Sequence, residues 1–426
     1  MRSTSTAGEG QDHQFRHRRK KKVSLLLPPI SIQTTLNSST NYVSTASRFR
    51  YFAILSVVVG SVVFLSKNAN NQQQVTSSSW DANMKQLTGS SRPFQYIGDL
   101  SPSEPLPWPE EEADWHALHK TLVNRVKESD ALPIINQGDD YLPQLVFYGD
   151  SITEGWNGTS FGNLPGPHRM WADGEDETIR DVFANAFGDK SEWGERVLKP
   201  PLILGISGSR TYDFIWRVKN GEFPVSPLLT NVEIDTTDGD GEFHTEKLER
   251  IYILLMGTNN LGGGMLPGPT LEGMDAAGRT ILQLHEKHFP NTPAAMLFSE
   301  LLPRNDDFRA AKMCPPRCKN LETLEPFKSF MPAINKVNRE LPGLLDEWRK
   351  EFKNSRIVLL SASEVNTSDQ SNNVSYNTVI YCGGEMFSFD DINELDIYMP
   401  DRLHPNAKGY ELWSWCLKKG LDAVMS

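Results

Sequence analysis

Cysteine is scarce in this chain. Four occur in 426 residues, Cys314, Cys318, Cys382 and Cys416, all in the last third. A scaffold built on disulfides is excluded. "CPPRC" suits closure of a small loop in an oxidising compartment, and it lacks the further Cys or His that a zinc site needs. Positive charge is scarce beyond the head of the chain. Residues 1–80 hold ten Lys or Arg against Glu9 and Asp12, a net of +8, which leaves −19 for the remainder of a chain whose total is −11. A body this acidic repels polyphosphate, which argues against nucleic acid as its partner. Long apolar runs are few, and no internal repeat is present.

One uncharged run does stand out, "YFAILSVVVGSVVFLS" from Tyr51 to Ser66. As a helix it would reach about 24 Å, slightly short of a thin early-secretory bilayer of about 27–30 Å. Arg48 and Arg50 precede it, Lys67 follows, and "RHRRKKK" lies upstream. The excess of positive charge on the N-terminal side puts that end in the cytosol. The expectation is a basic disordered tail over 1–50, a single transmembrane signal anchor over 51–66, a polar stem over 67–111 and a folded domain over 112–426. That domain would lie in the ER or Golgi lumen or outside the cell. A cleaved signal peptide on a secreted protein and an organelle transit peptide are the alternatives. "RHRRKKK" alone also fits a nuclear or nucleic-acid patch. Beyond the proposed anchor, sequons start at Asn157, Asn366 and Asn373, and their number is near chance.

The chain as a whole has what a packed domain requires, with 38% hydrophobic and 10% aromatic residues. "PEEEADWHALHKTLVNRVKES" carries Trp115, Leu118, Leu122 and Val126 at helical spacing, with acid in its first turn. Short apolar runs then alternate with helical stretches: "QLVFYG", "PLILGI", "RIYILLMG", "AAMLFSEL" and "RIVLLSAS". The chain ends on the amphipathic "NAKGYELWSWCLKKGLDAVM". Buried strands alternating with helices predict a parallel sheet covered on both faces, with working groups at the carboxyl ends of the strands.

Polar blocks follow those ends. Gly149-Asp150-Ser151 ends the first strand, "GISGSRT" follows the second, "GTNNLGGG" follows the third, and "DRLHPNAKGY" precedes the last helix. Singly they read as turns and caps. Together they supply a serine hydrolase. Ser151 is the candidate nucleophile, which needs a base. His404 is the candidate base, since histidine changes charge nearest neutral pH. Asp401 is placed to hold the imidazole tautomer. The backbone N–H groups of Ser151 and Gly208 and the Asn259 amide are the candidate oxyanion donors.

In this order the blocks resemble the SGNH (GDSL) hydrolases. They are most similar to the branch of the platelet-activating-factor acetylhydrolase catalytic subunits. Trp115, Leu118 and His119, the "GISGSRTYDFIWRVKNGEF" stretch, "GTNNLG" and Leu301 to Arg304 carry that closer likeness, which covers about residues 112–424. The resemblance implies a flavodoxin-like three-layer α/β/α fold and hydrolysis of a short-chain, acetyl-type ester through an acyl-enzyme on Ser151, without metal or cofactor. The substrate would be an acyl ester on a glycan or an acetylated lipid. An acyltransferase of the same fold and an inactive glycan-binding domain are the alternatives. The branch carries Asp after the oxyanion glycine, and this chain carries Ser209, a change that bears on the stiffness of that turn. The chain is also longer than a minimal member between Ser151 and Gly205, before the third strand and before Asp401.

Three further patterns weaken on inspection. "TTDGDGEFHTEK" places Thr236 and Lys247 at the ends of an EF-hand register, where charged ligands are required. The helical pairs His116 with His119 and His285 with His288 have no obvious third ligand. "GGGMLPGPT" lacks the P-loop lysine.

Overall fold

The computed structural model describes residues 101–134, 141–163, 178–188, 190–228, 248–304, 329–362, 379–382 and 397–425. The basic tail, the Tyr51–Ser66 run, the acidic 235–247 stretch, the Cys314 and Cys318 pair and the sequons at Asn366 and Asn373 lie outside them. Among the described residues no helix is long and apolar enough to cross a membrane.

Helix α1 (Ala113–Ala131) comes first and buries Trp115, Leu118, Leu122 and Val126, the stripe its spacing predicts. Strand β1 (Gln144–Gly149) is buried at every position, as a strand covered on both faces must be. A short helix α2 (Ser151–Gly155) follows directly, then α3 (Ile179–Ala186), α4 (Glu192–Arg196) and β2 (Leu202–Gly205). Helix α5 (Thr211–Arg217) runs into a wider turn, Val218–Glu222, where Gly221 takes a φ of 111°. Then come β3 (Arg250–Leu255), α6 (Thr258–Gly262), α7 (Pro267–His288), β4 (Ala294–Ser299), α8 (Met331–Glu351), β5 (Ser355–Ser361), β6 (Val379–Tyr381) and α9 (Ala407–Met425).

Among the described residues six strands pair in parallel, in the order β2-β1-β3-β4-β5-β6. The alternation of side chains splits the core in two. Val146, Tyr148, Tyr252 and Leu254 face a layer made by α1, α5, α7 and α8. Phe147, Ile251, Ile253 and Leu297 face the opposite layer, made chiefly by α3 and α9. This is a three-layer α/β/α architecture. Because β2 and β3 flank β1 on opposite sides, the chain leaves β1 toward one side and later returns to the other. That switch opens a crevice at the carboxyl ends of β1 and β3. Gly149, Gly205 and Leu255 stand in register there.

Three differences from the sequence reading emerge. The sequence assigns 67–111 to a stem, yet Trp108 is buried, Pro102 accepts a bond from Thr211 Oγ1 at 3.0 Å, and Leu106 N–H donates to Tyr212 O at 3.2 Å. The folded unit thus includes residues 101–111. Strand β6 is a sixth strand that the sequence does not signal, because three residues in a polar stretch carry no periodicity. Cys382, just past β6, is disulfide-bonded to Cys416 on α9, 34 residues away.

Candidate active site

The site begins where β1 ends. Helix α2 lies so close across β2 that a Cβ at Gly205 would stand 2.8 Å from Asp150 O, so only glycine fits. Asp150 caps α2, its Oδ1 accepting from Ile152 N–H at 3.0 Å. Its Oδ2 accepts from Asn259 Nδ2 at 3.2 Å, which ties α2 to α6. Burial pushes the Asp150 carboxyl up to about 6, against the pull of the Ile152 N–H and the positive charges of His404, Arg304 and Arg217. Ser151 follows as the first residue of α2.

His404 reaches Ser151 from a loop ahead of α9, 253 residues further on, with Nε2 2.9 Å from Ser151 Oγ. Its Nδ1 lies 2.6 Å from Asp401 Oδ2. The tautomer consistent with both contacts has Nδ1–H donating to Asp401 and Nε2 accepting from the serine hydroxyl. Asp401 Oδ1 accepts from the backbone N–H groups of Leu403 (3.0 Å) and His404 (2.7 Å), a local turn that bends the loop back on itself. Arg402 completes the bend with a φ of 59°. Burial raises the Asp401 carboxyl, but the charge of His404 and the bonds it receives from His404 and Leu403 outweigh that, and its pKa is lowered. Asn406 Oδ1 accepts from Gly409 N–H at 3.1 Å and starts α9. Tyr410 on α9 then donates its hydroxyl to Ile152 O at 2.5 Å and packs on Trp156, which draws the loop toward α2.

The turn after β2 is tied to the same elements, Ser207 to Glu154 of α2 and Ser209 to Asn259 of α6. Gly208 has a φ of 76°, a conformation that glycine adopts without strain. The backbone N–H groups of Ser151 and Gly208 have no acceptor among the described residues. Asn259 is arranged otherwise. Its amide nitrogen donates to Asp150 Oδ2 and, at 3.1 Å, to Ser209 O, so it bridges two elements of the site.

Four supporting residues have roles that the sequence does not assign. Glu154, one turn after Ser151 and buried, accepts from Ser207 N–H and Oγ–H, both at 2.7 Å, and from Gly162 N–H at 2.8 Å. Arg217, fully buried, donates to Gly149 O at 3.0 Å, Leu204 O at 2.7 Å and Ser209 Oγ at 3.2 Å, joining the ends of β1 and β2 to the turn. Ser209 is thereby anchored on both its hydroxyl and its carbonyl. Glu222 neutralises Arg217 across 2.7 Å and bonds His119 Nδ1 at 2.7 Å. Burial opposes its ionisation, yet the Arg217 charge and the bonds from His119 and Arg217 lower its pKa. Trp108 is the fourth, and its ring lies against Gly208. A buried charge reads as an ordinary surface residue until its partner, distant in sequence, is placed beside it.

The paired histidines have structural partners. His116 Nε2 lies 3.1 Å from Trp108 O and 3.0 Å from Pro109 O. His285 bonds Tyr252 OH at 3.0 Å and Thr292 O at 3.0 Å, and burial brings its pKa down to about 4. Among the described residues no group of three His, Cys, Asp or Glu is placed to hold a metal.

A parallel α/β sheet with a Ser-His-Asp arrangement at its switch point has the equipment of a serine hydrolase. The model of the GDSL-like lipase/acylhydrolase family matches residues 147–412, and the chain belongs to that family. No curated protein matches the chain. Solved structures similar to it include a Streptococcus pneumonia protein named for platelet activating factor, at 15% identity, covering 73% of this chain and 96% of that one with a TM-score of 0.35. A Lactobacillus plantarum protein is 16% identical, with 66% and 97% covered and a TM-score of 0.34. A variant of an acetyl-xylooligosaccharide esterase from Geobacillus Stearmophilus is 12% identical, with 67% and 96% covered and a TM-score of 0.32. Family membership rests on the matched residues and not on these scores.

Proposed function

We propose that this ester hydrolase removes a short, acetyl-sized acyl group from an O-acylated glycan or lipid, through an acyl-enzyme on Ser151, on the lumenal side of a secretory membrane. The observation that carries the catalytic reading is the chain of contacts Asp401–His404–Ser151, at 2.6 and 2.9 Å. As Ser151 Oγ attacks the ester carbonyl, its proton passes to His404 Nε2, and Asp401 stabilises the imidazolium. The new oxyanion sits on the N–H groups of Ser151 and Gly208. Asn259 joins them by releasing one N–H from Ser209 O. The imidazolium then protonates the departing alcohol, and water, deprotonated by the same histidine, frees the acid. The acyl size follows from the resemblance to the acetylhydrolase branch. The lumenal setting is supported by the charge asymmetry around Tyr51–Ser66 and by the Cys382–Cys416 bond, since disulfides persist in oxidising compartments.

A membrane-impermeant fluorophosphonate tests both parts on sealed microsomes. Labelling should occur only after detergent opens them, and peptide mapping should place it on Ser151. Ser151→Ala should abolish it and cut ester turnover by about 10⁴-fold or more. Labelling without detergent would refute the lumenal placement. Undiminished turnover in the mutant would remove Ser151 from the mechanism.

A further inference from the structure

Gly208 has no side chain with which to anchor itself, so its N–H direction is set by what surrounds the turn. Glu154 grips Ser207 on one side, and Arg217 and Asn259 grip Ser209 on the other. Gly208 itself is met by an aromatic ring. A Cβ built there would stand 2.9 Å from Trp108 Cζ2 and 3.0 Å from Cη2. That ring belongs to the segment ahead of α1, not to the sheet, and it is well held. It stacks on Trp115, 5.9 Å away and within 4° of parallel, and it meets Phe161 edge-on. His116 Nε2, read as the donor, holds the Trp108 and Pro109 carbonyls, and Leu106 N–H holds Tyr212 O.

We infer that Trp108 is a positioning residue, bracing Gly208 so that its N–H stays aimed at the point it shares with the N–H of Ser151. This rests on the esterase reading above. The segment 101–109 is therefore part of the catalytic apparatus, although it touches none of the reacting atoms. Its docking sets the oxyanion site and leaves the Asp401–His404–Ser151 contacts alone. The physical reason is packing. A flat ring in van der Waals contact with a turn leaves it no room to relax, and its removal opens a space into which the turn can swing. An oxyanion donor misaimed by a fraction of an ångström loses most of its worth in the transition state and little in the ground state.

The test is steady-state kinetics on the full chain, paired with inhibition by a boronic acid that forms a tetrahedral adduct on the serine. Trp108→Ala should lower kcat by about 10–100-fold with KM within about twofold, and should weaken boronate binding by the same factor as kcat. Trp108→Phe should restore most of both. The pH–rate profile should keep its shape, since the acid–base pair is untouched. Unchanged kcat, an effect confined to KM, or a fall in kcat without loss of boronate affinity would overturn the inference. If Trp108→Ala does not fold, kcat and boronate affinity should still fall together from Trp to Phe to Leu, and a flat series would overturn it equally. A wild-type chain with neither ester turnover nor fluorophosphonate labelling would refute the esterase reading itself and take this inference with it.

Discussion

Ser151 and Asp150 stand on buried ground, whereas Asp401 and His404 stand on a loop near the surface. The Asp150 carboxylate is enclosed and accepts from groups on α2 and α6. Arg217 and Glu154 add bonds that cross from one strand end to the next. The Asp401 side chain is 35% exposed and its bonds run only to residues two and three positions on. The two carboxylates respond in opposite ways. Burial raises Asp150, while the partners of Asp401 lower it. The nucleophile side thus draws its geometry from the sheet. The acid–base side draws its own from one turn and from Tyr410, which ties α9 to Ile152. A pre-aimed oxyanion site requires stiffness, and a proton-shuttling imidazole requires one fixed tautomer, which a single turn can supply.

Apart from loss of the nucleophile itself, the largest effect should come from breaking the loop side. Asp401→Asn removes the charge and the tautomer control, and should cut the plateau of kcat/KM by about 10³–10⁴-fold with the fold intact. An undiminished plateau in the variant would separate Asp401 from His404. On the buried side, Asn259→Ala should lower kcat by about 10²–10³-fold and leave KM nearly unchanged. A change confined to KM would make Asn259 a substrate contact and weaken the account of this side as a transition-state site.

The smallest effect is on stability, and it sharpens the contrast between buried and exposed carboxylates. Glu300, buried at the end of β4, is pushed by burial to about 7, against the bonds from Ala362 N–H and Ser361 Oγ–H. Between about pH 4.5 and 7 the unfolded chain has lost this proton and the native chain keeps it, so stability falls as pH rises through that window. Glu300→Gln should lack this slope and gain on the wild type by about 2–3 kcal/mol from pH 5 to pH 8, read from denaturant midpoints. Asp150 contributes a slope of the same sign in both proteins and cancels in the comparison, whereas Asp401 contributes the opposite sign, losing stability as pH falls. Equal slopes in wild type and variant would mean that Glu300 is ionised in the native state.

What the sequence determined by itself is local or ordered along the chain. Strands β1 to β5 show as apolar runs because burial on both faces leaves little room for polar residues. Helices α1 and α9 show by their period. The Gly-Asp-Ser, Gly, Gly-x-Asn and Asp-x-x-His blocks show because each sits where a strand or loop meets a helix. The Asp401 turn is legible because its bonds close within three residues. Tertiary structure alone decided what depends on distant partners. Strand β6 exists only as a pairing with β5, and Cys382 finds Cys416 only once α9 is folded back. Arg217 and Glu222 look like surface charges until β1 and β2 enclose them. Trp108, in a stretch that composition marks as stem, comes to rest on Gly208, a hundred residues away. The physical reason is that periodicity and turn chemistry act over a few residues, whereas the partners of a buried charge or ring are chosen by the packing of the whole sheet.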